Sequence, residues 1–289
     1  MWRKLVLMSS LVICTSVMAD MKHYVASLDN SFWRVSENTR IECRLEHDIP
    51  DYGKAIFSSK AGKNLNMLFT LDMWIKPDEI TQAKLFSRAP SWRPGINSKA
   101  LTQLSYHKQF NGELPKKAAW SMLNELSRGM EPTFYYSDWY SQSDNVAVGI
   151  SSANFGGKYR EFRSCLAQLL PYSFDDIAFT VLTYEEGDTE LTHFSKYQLK
   201  KVQEYLSYDP EVELVLIDGF TDSYGPKSIN QTVSNNRADS IKQLLIASGI
   251  PKDKIISNGH GEKRHVASNE LVQERERNRR VVIQLSKAL

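Results

Sequence analysis

The stretch from Val215 to Leu245 constrains what this chain can fold into more than any other. An apolar run, Val215-Leu216-Ile217, gives way to Asp218-Gly219-Phe220-Thr221-Asp222-Ser223-Tyr224-Gly225-Pro226, which is dense in turn formers. A long amphipathic run carrying Asn230, Ser234, Asn235, Arg237 and Ala238 follows. The pattern predicts a buried strand that ends in a polar loop, with a helix beyond it, where α/β proteins place their ligand sites. Asn230, Ser234 and Arg237 fall on one helix face, which can look back on the loop carrying Asp222. A guanidinium offers a planar fork of donors suited to a carboxylate, and Asp222 offers acceptors for an ammonium. Together they can hold a zwitterion such as an amino acid. Equally, they can form a structural ion pair tying loop to helix.

Strands and helices alternate on both sides of this stretch. Asp176–Val181 is predicted as a strand and Glu185–Asp188 as a turn. Thr192 caps a predicted helix running to Tyr205, with Phe194, Tyr197, Leu199, Val202 and Leu206 as its apolar set. Val212–Phe220 reads as a strand, Ser228–Ser248 as a helix ended by Gly249, and Lys254–Ile256 as a short strand. Leu271–Asn278 reads as a helix and Val281–Leu285 as a closing strand. These elements predict an α/β sandwich with a mixed sheet over residues 171–289.

Residues 20–170 have a different rhythm. Leu65, Met67, Phe69, Leu71 and Met73 recur at period two, as do Ile41, Cys43 and Leu45, and Ala55–Ser58 is a shorter candidate strand. Pro50–Gly53 and Ala61–Asn64 are turn-like. Two helices interrupt the strands. One opens at Leu114-Pro115, buries Ala118, Met122, Leu123 and Leu126, and stops at Gly129. The other runs from Tyr159 to Leu170, with Phe162, Cys165, Leu166 and Leu169 inward and Pro171 after it. The chain as a whole is therefore expected to be α+β with two domains, the first strand-rich. Its many aromatics, among them Trp74, Trp92, Trp139 and Tyr140, suit core packing or a protein-binding surface. Ser87–Gly95 is the expected contact loop.

The start of the chain bears on compartment. Arg3 and Lys4 precede a short apolar core, Leu5–Val17, and Val17-Met18-Ala19 prepare a cut before Asp20, so residues 1–19 read as a cleavable secretory signal. Ile13 is too bulky for the position before a lipidated Cys14. No later apolar run is long enough to span a membrane. The 36 Lys and Arg nearly balance the 34 Asp and Glu, which removes the basic surface a nucleic-acid binder needs. Cys43 and Cys165 remain after cleavage; in an exported chain they are expected to form a disulfide, the alternative being two buried thiols. His23, His47 and His107 lie in separate segments, and no nucleophile elbow, phosphate loop or dinucleotide fingerprint is present. No catalytic residue, metal site or cofactor is expected.

Further residues complete a family pattern. Ile217–Gly225, Asn230, Val233–Ala238, Gly249-Ile250, Gly259-His260-Gly261-Glu262 and Asn278-Arg279-Arg280-Val281 agree in order and spacing with the OmpA-like peptidoglycan-binding domain, which this half resembles. Phe220, Val233 and His265 depart from the pattern without removing a pocket charge. The resemblance implies a non-catalytic domain that holds the diaminopimelate of peptidoglycan stem peptides. Asp222 would take the amino group and Arg237 the carboxylate, with Thr221, Asn230 and Arg279 lining the pocket. The layout as a whole is similar to that of the periplasmic T-ring proteins of sodium-driven polar flagellar motors. That likeness implies an N-terminal half assembled with the basal body and MotX, and a C-terminal half gripping the wall where stators are recruited. A general envelope anchor and a wall hydrolase with a targeting domain are the alternatives.

Overall fold

A computed structural model describes residues 21–141, 144–185 and 190–287. The expected signal segment lies outside these residues, as does the expected turn after Glu185. In chain order the elements are β1 (Met21–Tyr24), β2 (Trp33–Asn38), β3 (Glu42–Ile49), β4 (Gly53–Lys60), β5 (Leu68–Met73), β6 (Thr81–Arg88), β7 (Lys99–Tyr106), β8 (Gly112–Leu114), α1 (Lys116–Ser127), β9 (Glu131–Ser137) and β10 (Asn145–Gly149). There follow α2 (Phe155–Leu166), β11 (Phe179–Thr183), α3 (His193–Leu206), β12 (Val212–Phe220), α4 (Lys227–Ala247), β13 (Ile255–Gly259), α5 (Val272–Asn278) and β14 (Arg280–Lys287). The strands form three sheets, ordered β1-β10-β9-β6-β7, β2-β3-β4-β5-β8 and β11-β14-β12-β13. The chain is α+β, strand-rich first and α/β after, as the sequence predicts.

The chain divides into two compact units. The first comprises the described residues up to Phe32, His47–Ile56 and Phe69–Phe155. Its core is aromatic and aliphatic: Phe69 stacks on Phe134 at 5.7 Å, and Leu71, Met73 and Leu85 are fully buried or nearly so. Leu65 lies outside β5 and is exposed, so the period-two run begins later than the sequence suggests. Helix α1 buries Ala119, Met122, Leu123 and Leu126, one position off the expected Ala118. Gly129 at φ 78° closes it.

The second unit comprises Trp33–Glu46, Phe57–Leu68 and the chain from Gly156 onward. Helix α2 starts before the expected Tyr159 because it accommodates Gly156 and Gly157, poor helix formers that hide its first turn from a propensity reading. It ends at Leu166, short of the expected Leu170, whose N–H instead donates to the Arg40 carbonyl at 2.8 Å. Cys43 and Cys165 are joined by a disulfide with Cα atoms 5.9 Å apart, tying β3 to α2 across 122 residues. One apolar core runs from Ala61, Leu170 and Tyr172 through Leu199 and Val202 of α3 to Val215, Ile217, Ile241 and Ile283. Thr192 caps α3, accepting from the Ser195 N–H at 3.2 Å. Phe194 and Tyr197, expected inside, are exposed; Tyr205 takes the inner face instead. Strand β12 lies between β14, antiparallel, and β13, parallel. Helix α4 lays Asn230, Ser234, Ala238, Ile241 and Leu245 inward as one stripe.

Candidate ligand-binding site

Two glycines decide how closely α4 approaches the sheet. A Cβ on Gly219 would lie 2.2 Å from the Ser234 carbonyl oxygen, and one on Gly259 would lie 2.4 Å from the Asn235 backbone nitrogen. Contact this close brings Ser234 over the strand ends, where its Oγ accepts from the Gly261 N–H at 2.9 Å. The β12–β13 pairing continues past the strands. The His260 N–H donates to the Gly219 carbonyl at 2.9 Å, and the Thr221 N–H to the Gly261 carbonyl at 2.8 Å. Loops 221–226 and 260–262 are thereby held side by side.

On this frame the five expected pocket residues converge in part. Asp222 is 7% exposed; its Oδ1 accepts from the Tyr224 N–H at 3.0 Å, a local turn that fixes the carboxylate. Its Oδ2 accepts from Arg279 Nη1 at 2.9 Å. The ion pair is therefore Asp222–Arg279, and Asp222 and Arg237 form none. Asn230 donates from Nδ2 to the Asp222 carbonyl at 3.4 Å and to Glu262 Oε2 at 3.3 Å, which leaves its Oδ1 as an acceptor. Thr221 is buried, and its Oγ1 has no hydrogen-bond partner among the described residues.

Arg237 lies with its guanidinium carbon 4.4 Å from the centre of the Tyr184 ring. Its Nε and Nη1 are buried without hydrogen-bond partners among the described residues, as is Nη2 of Arg279. Burial pushes the Arg237 guanidinium below its ordinary pKa; Tyr184 and Asp222 favour its charge and Arg279 opposes it. Burial pushes the Tyr184 hydroxyl up to about 12, against the pull of Arg237. Buried donors left unmatched are costly, and here three guanidinium nitrogens and two hydroxyls, those of Thr221 and Tyr184, lie on side chains gathered with Asp222. The arrangement can take an incoming carboxylate on the free donors and an ammonium beside Asp222.

Three contributors lie outside the five expected pocket residues. Tyr184 stands far away in the chain, just after β11. Glu262 reaches the site through Asn230 and lies 3.5 Å from Lys227 Nζ. Asn278 is fully buried and sets the entry to Arg279: its Oδ1 accepts from the N–H groups of Val266 and Ala267 at 2.8 and 3.1 Å, and its Nδ2 donates to the Ala267 carbonyl at 2.9 Å. Its place in the Asn278-Arg279-Arg280 run is the one signal that pointed to it.

Among the described residues no group of three His, Cys, Asp or Glu is placed to hold a metal, and no helix is long and apolar enough to cross a membrane. In the expected contact loop, Arg93 Nη1 is tied to the Arg128 carbonyl at 2.7 Å, at the end of α1.

Residues 24–171 match the MotY N-terminal domain family, and residues 183–279 match the OmpA family. The sodium-type flagellar protein MotY of Vibrio parahaemolyticus is 40% identical over 280 residues, spanning 97% of this chain and 96% of that protein. Outer membrane porin F of Pseudomonas fluorescens is 39% identical over 83 residues, 29% of this chain and 25% of the porin. Among solved structures, the periplasmic domain of Helicobacter pylori MotB is similar over 37% of this chain and 71% of its own, at 19% identity and a TM-score of 0.31.

Proposed function

The chain belongs to the MotY family, and from that premise we propose that it is a non-catalytic component of a sodium-driven flagellar motor that anchors to peptidoglycan. In this reading residues 1–19 are a cleaved export signal and the mature protein works in the periplasm. Residues 20–170 bind the basal body and MotX within the T ring, and residues 171–289 hold the wall and steady the ring where stators assemble.

One observation carries the wall-binding half: buried, unmatched guanidinium donors on Arg237 and Arg279 stand around the Asp222 carboxylate. The zwitterionic end of diaminopimelate supplies what they lack. Its carboxylate meets Arg237 Nε and Nη1, Arg279 Nη2 and Thr221 Oγ1, and its ammonium meets Asp222 and Asn230 Oδ1. The demand is for one carboxylate and one ammonium at fixed separation, so the zwitterionic end of diaminopimelate binds where a simple carboxylate does not.

Co-sedimentation with purified sacculi tests this. Arg237→Ala removes a charged hydrogen-bond partner worth about 1.5–3 kcal/mol, so affinity is expected to fall between about tenfold and a hundredfold. Free diaminopimelate should compete for the wild type. Undiminished sedimentation of Arg237→Ala would end the assignment.

A further inference from the structure

The first unit carries an apolar, acidic face that its own core does not use. Trp74, Ile75, Ile80, Phe110 and Tyr140 are each between 63% and 72% exposed. They sit on three loops that hydrogen bonds to backbone carbonyls hold together: Tyr140 Oη donates to the Lys76 carbonyl at 3.3 Å, and the Gln109 N–H to the Pro77 carbonyl at 2.8 Å. Large apolar side chains fixed in one exposed cluster mark an interaction surface. Beside them opens a cavity of about 210 Å³, whose walls include Tyr24, Tyr52, Tyr136 and Trp139 and the carboxylates of Asp51 and Asp138. Tyr136 and Trp139 stack at 4.7 Å, so the aromatic wall is itself packed in place.

Charge selects the occupant. Asp138 is matched by Lys22 at 2.7 Å, and Asp72 by Lys76 at 3.1 Å. Asp51, Asp78 and Glu79 have no cationic partner among the described residues, and Asp78 Oδ1 is buried without a hydrogen bond. The face is thus apolar, aromatic and short of positive charge. We infer that it docks an apolar protein segment bearing an arginine or lysine, whose cationic head enters the cavity between the aromatic rings and Asp51. This rests on the reading of the N-terminal half as the partner-binding half of a motor protein, and it names the surface and the chemistry of what is bound.

Two measurements on the full mature chain separate this from that reading. In the first, isotope-labelled protein is titrated with N-acetyl-arginine amide, with N-acetyl-glutamate amide as control. The Trp139 indole and the Asp51 and Tyr52 amides are expected to shift with the arginine compound only, and Asp51→Asn should weaken the response at least tenfold. In the second, Asp51→Lys and Trp74→Glu are expected to lose co-sedimentation with purified basal bodies while melting like the wild type. Tyr140→Ser, a milder change on the rim, serves if either fails to fold. Absent arginine-dependent shifts, or variants that bind basal bodies as the wild type does, would overturn the inference. So would self-association abolished by Trp74→Glu, which makes a second copy the occupant. Wild-type protein that shows the arginine response but ignores basal bodies would sink the motor reading and leave the surface standing.

Discussion

The two units differ in where their unmatched buried polar atoms lie. In the strand-rich unit buried polarity is largely matched internally. Ser87 Oγ donates to Glu125 Oε2 at 2.7 Å, Arg128 Nη1 to Glu125 Oε1 at 3.2 Å, and Arg88 Nε to Glu131 Oε1 at 2.8 Å. Its unmatched atoms among the described residues include Tyr106 Oη and Asp78 Oδ1, a hydroxyl in an aromatic cluster and a loop carboxylate. In the second unit the unmatched atoms of the described residues include scattered ones such as Arg44 Nε and Ser59 Oγ, but Arg237 Nε and Nη1, Arg279 Nη2 and Thr221 Oγ1 belong to side chains gathered with one carboxylate, Asp222. A fully matched network contributes rigidity, whereas a convergent unmatched one loses stability that a ligand can return. On this comparison, only the second unit gathers several unmatched donors about one carboxylate among the described residues.

The largest effect expected is on the cross-link, which lies wholly within the second unit. Replacing Cys43 and Cys165 by Ala releases a loop of 122 residues, and in the chain-entropy picture that costs about 5 kcal/mol. Hydrogen exchange should show the loss in α2, α3 and α4, with amides of β6, β7 and β9 little changed. Equal loss of protection in both groups would dissolve the distinction between the units.

The next effect belongs to the first unit. His47 is fully buried, and burial pushes its imidazole down to about 4 from the usual 6.5. The Phe32 carbonyl 3.0 Å away can only accept, so Nδ1 carries the proton of the neutral ring. The depressed pKa fixes the sign. Between pH 6.5 and 4 the unfolded chain takes up a proton that the folded chain refuses, so stability falls as pH is lowered through that window. The loss approaches about 3 kcal/mol at its acid end. His47→Asn, which keeps a donor near Nδ1, should flatten this part of a denaturant-midpoint profile. An unchanged slope would remove His47 as its source.

The same contrast governs what could be read from the sequence. Strand β12 and helix α4 were legible almost to the residue, because apolar period, turn formers and the glycine at 249 are local signals. Asp222, Asn230 and Arg237 followed as a cluster because they lie on one strand–loop–helix unit. The side chain paired with Asp222 is Arg279, 57 residues away, whereas spacing offers an Asp222–Arg237 pair only as one of two equal readings. Strand β13 runs further than its apolar residues because parallel pairing with β12 recruits the polar Ser257, Asn258 and Gly259. In the strand-rich unit β6, β7, β9 and β10 went unread. Their order depends on non-local pairing, such as Met21 opposite Asn145, that no window of periodicity contains.

The smallest stability effect is the most discriminating. Arg237→Met keeps an unbranched side chain of similar reach against Tyr184 and removes the guanidinium whose Nε and Nη1 are buried without partners. If the arginine were structural, its loss would expose a packing or pairing deficit of 1 kcal/mol or more, roughly the range of a lost hydrogen bond to a charged group. No ion pair is broken, however, because Asp222 is held by Arg279. The substitution also relieves the repulsion between two neighbouring guanidiniums and the cost of burying one of them. The lost cation–π contact with Tyr184 offsets this relief, so denaturant unfolding should show stability unchanged to within about 1 kcal/mol, while sacculus binding is lost. A clear drop in stability would make Arg237 part of the scaffold, and the two units would then treat their buried charges alike.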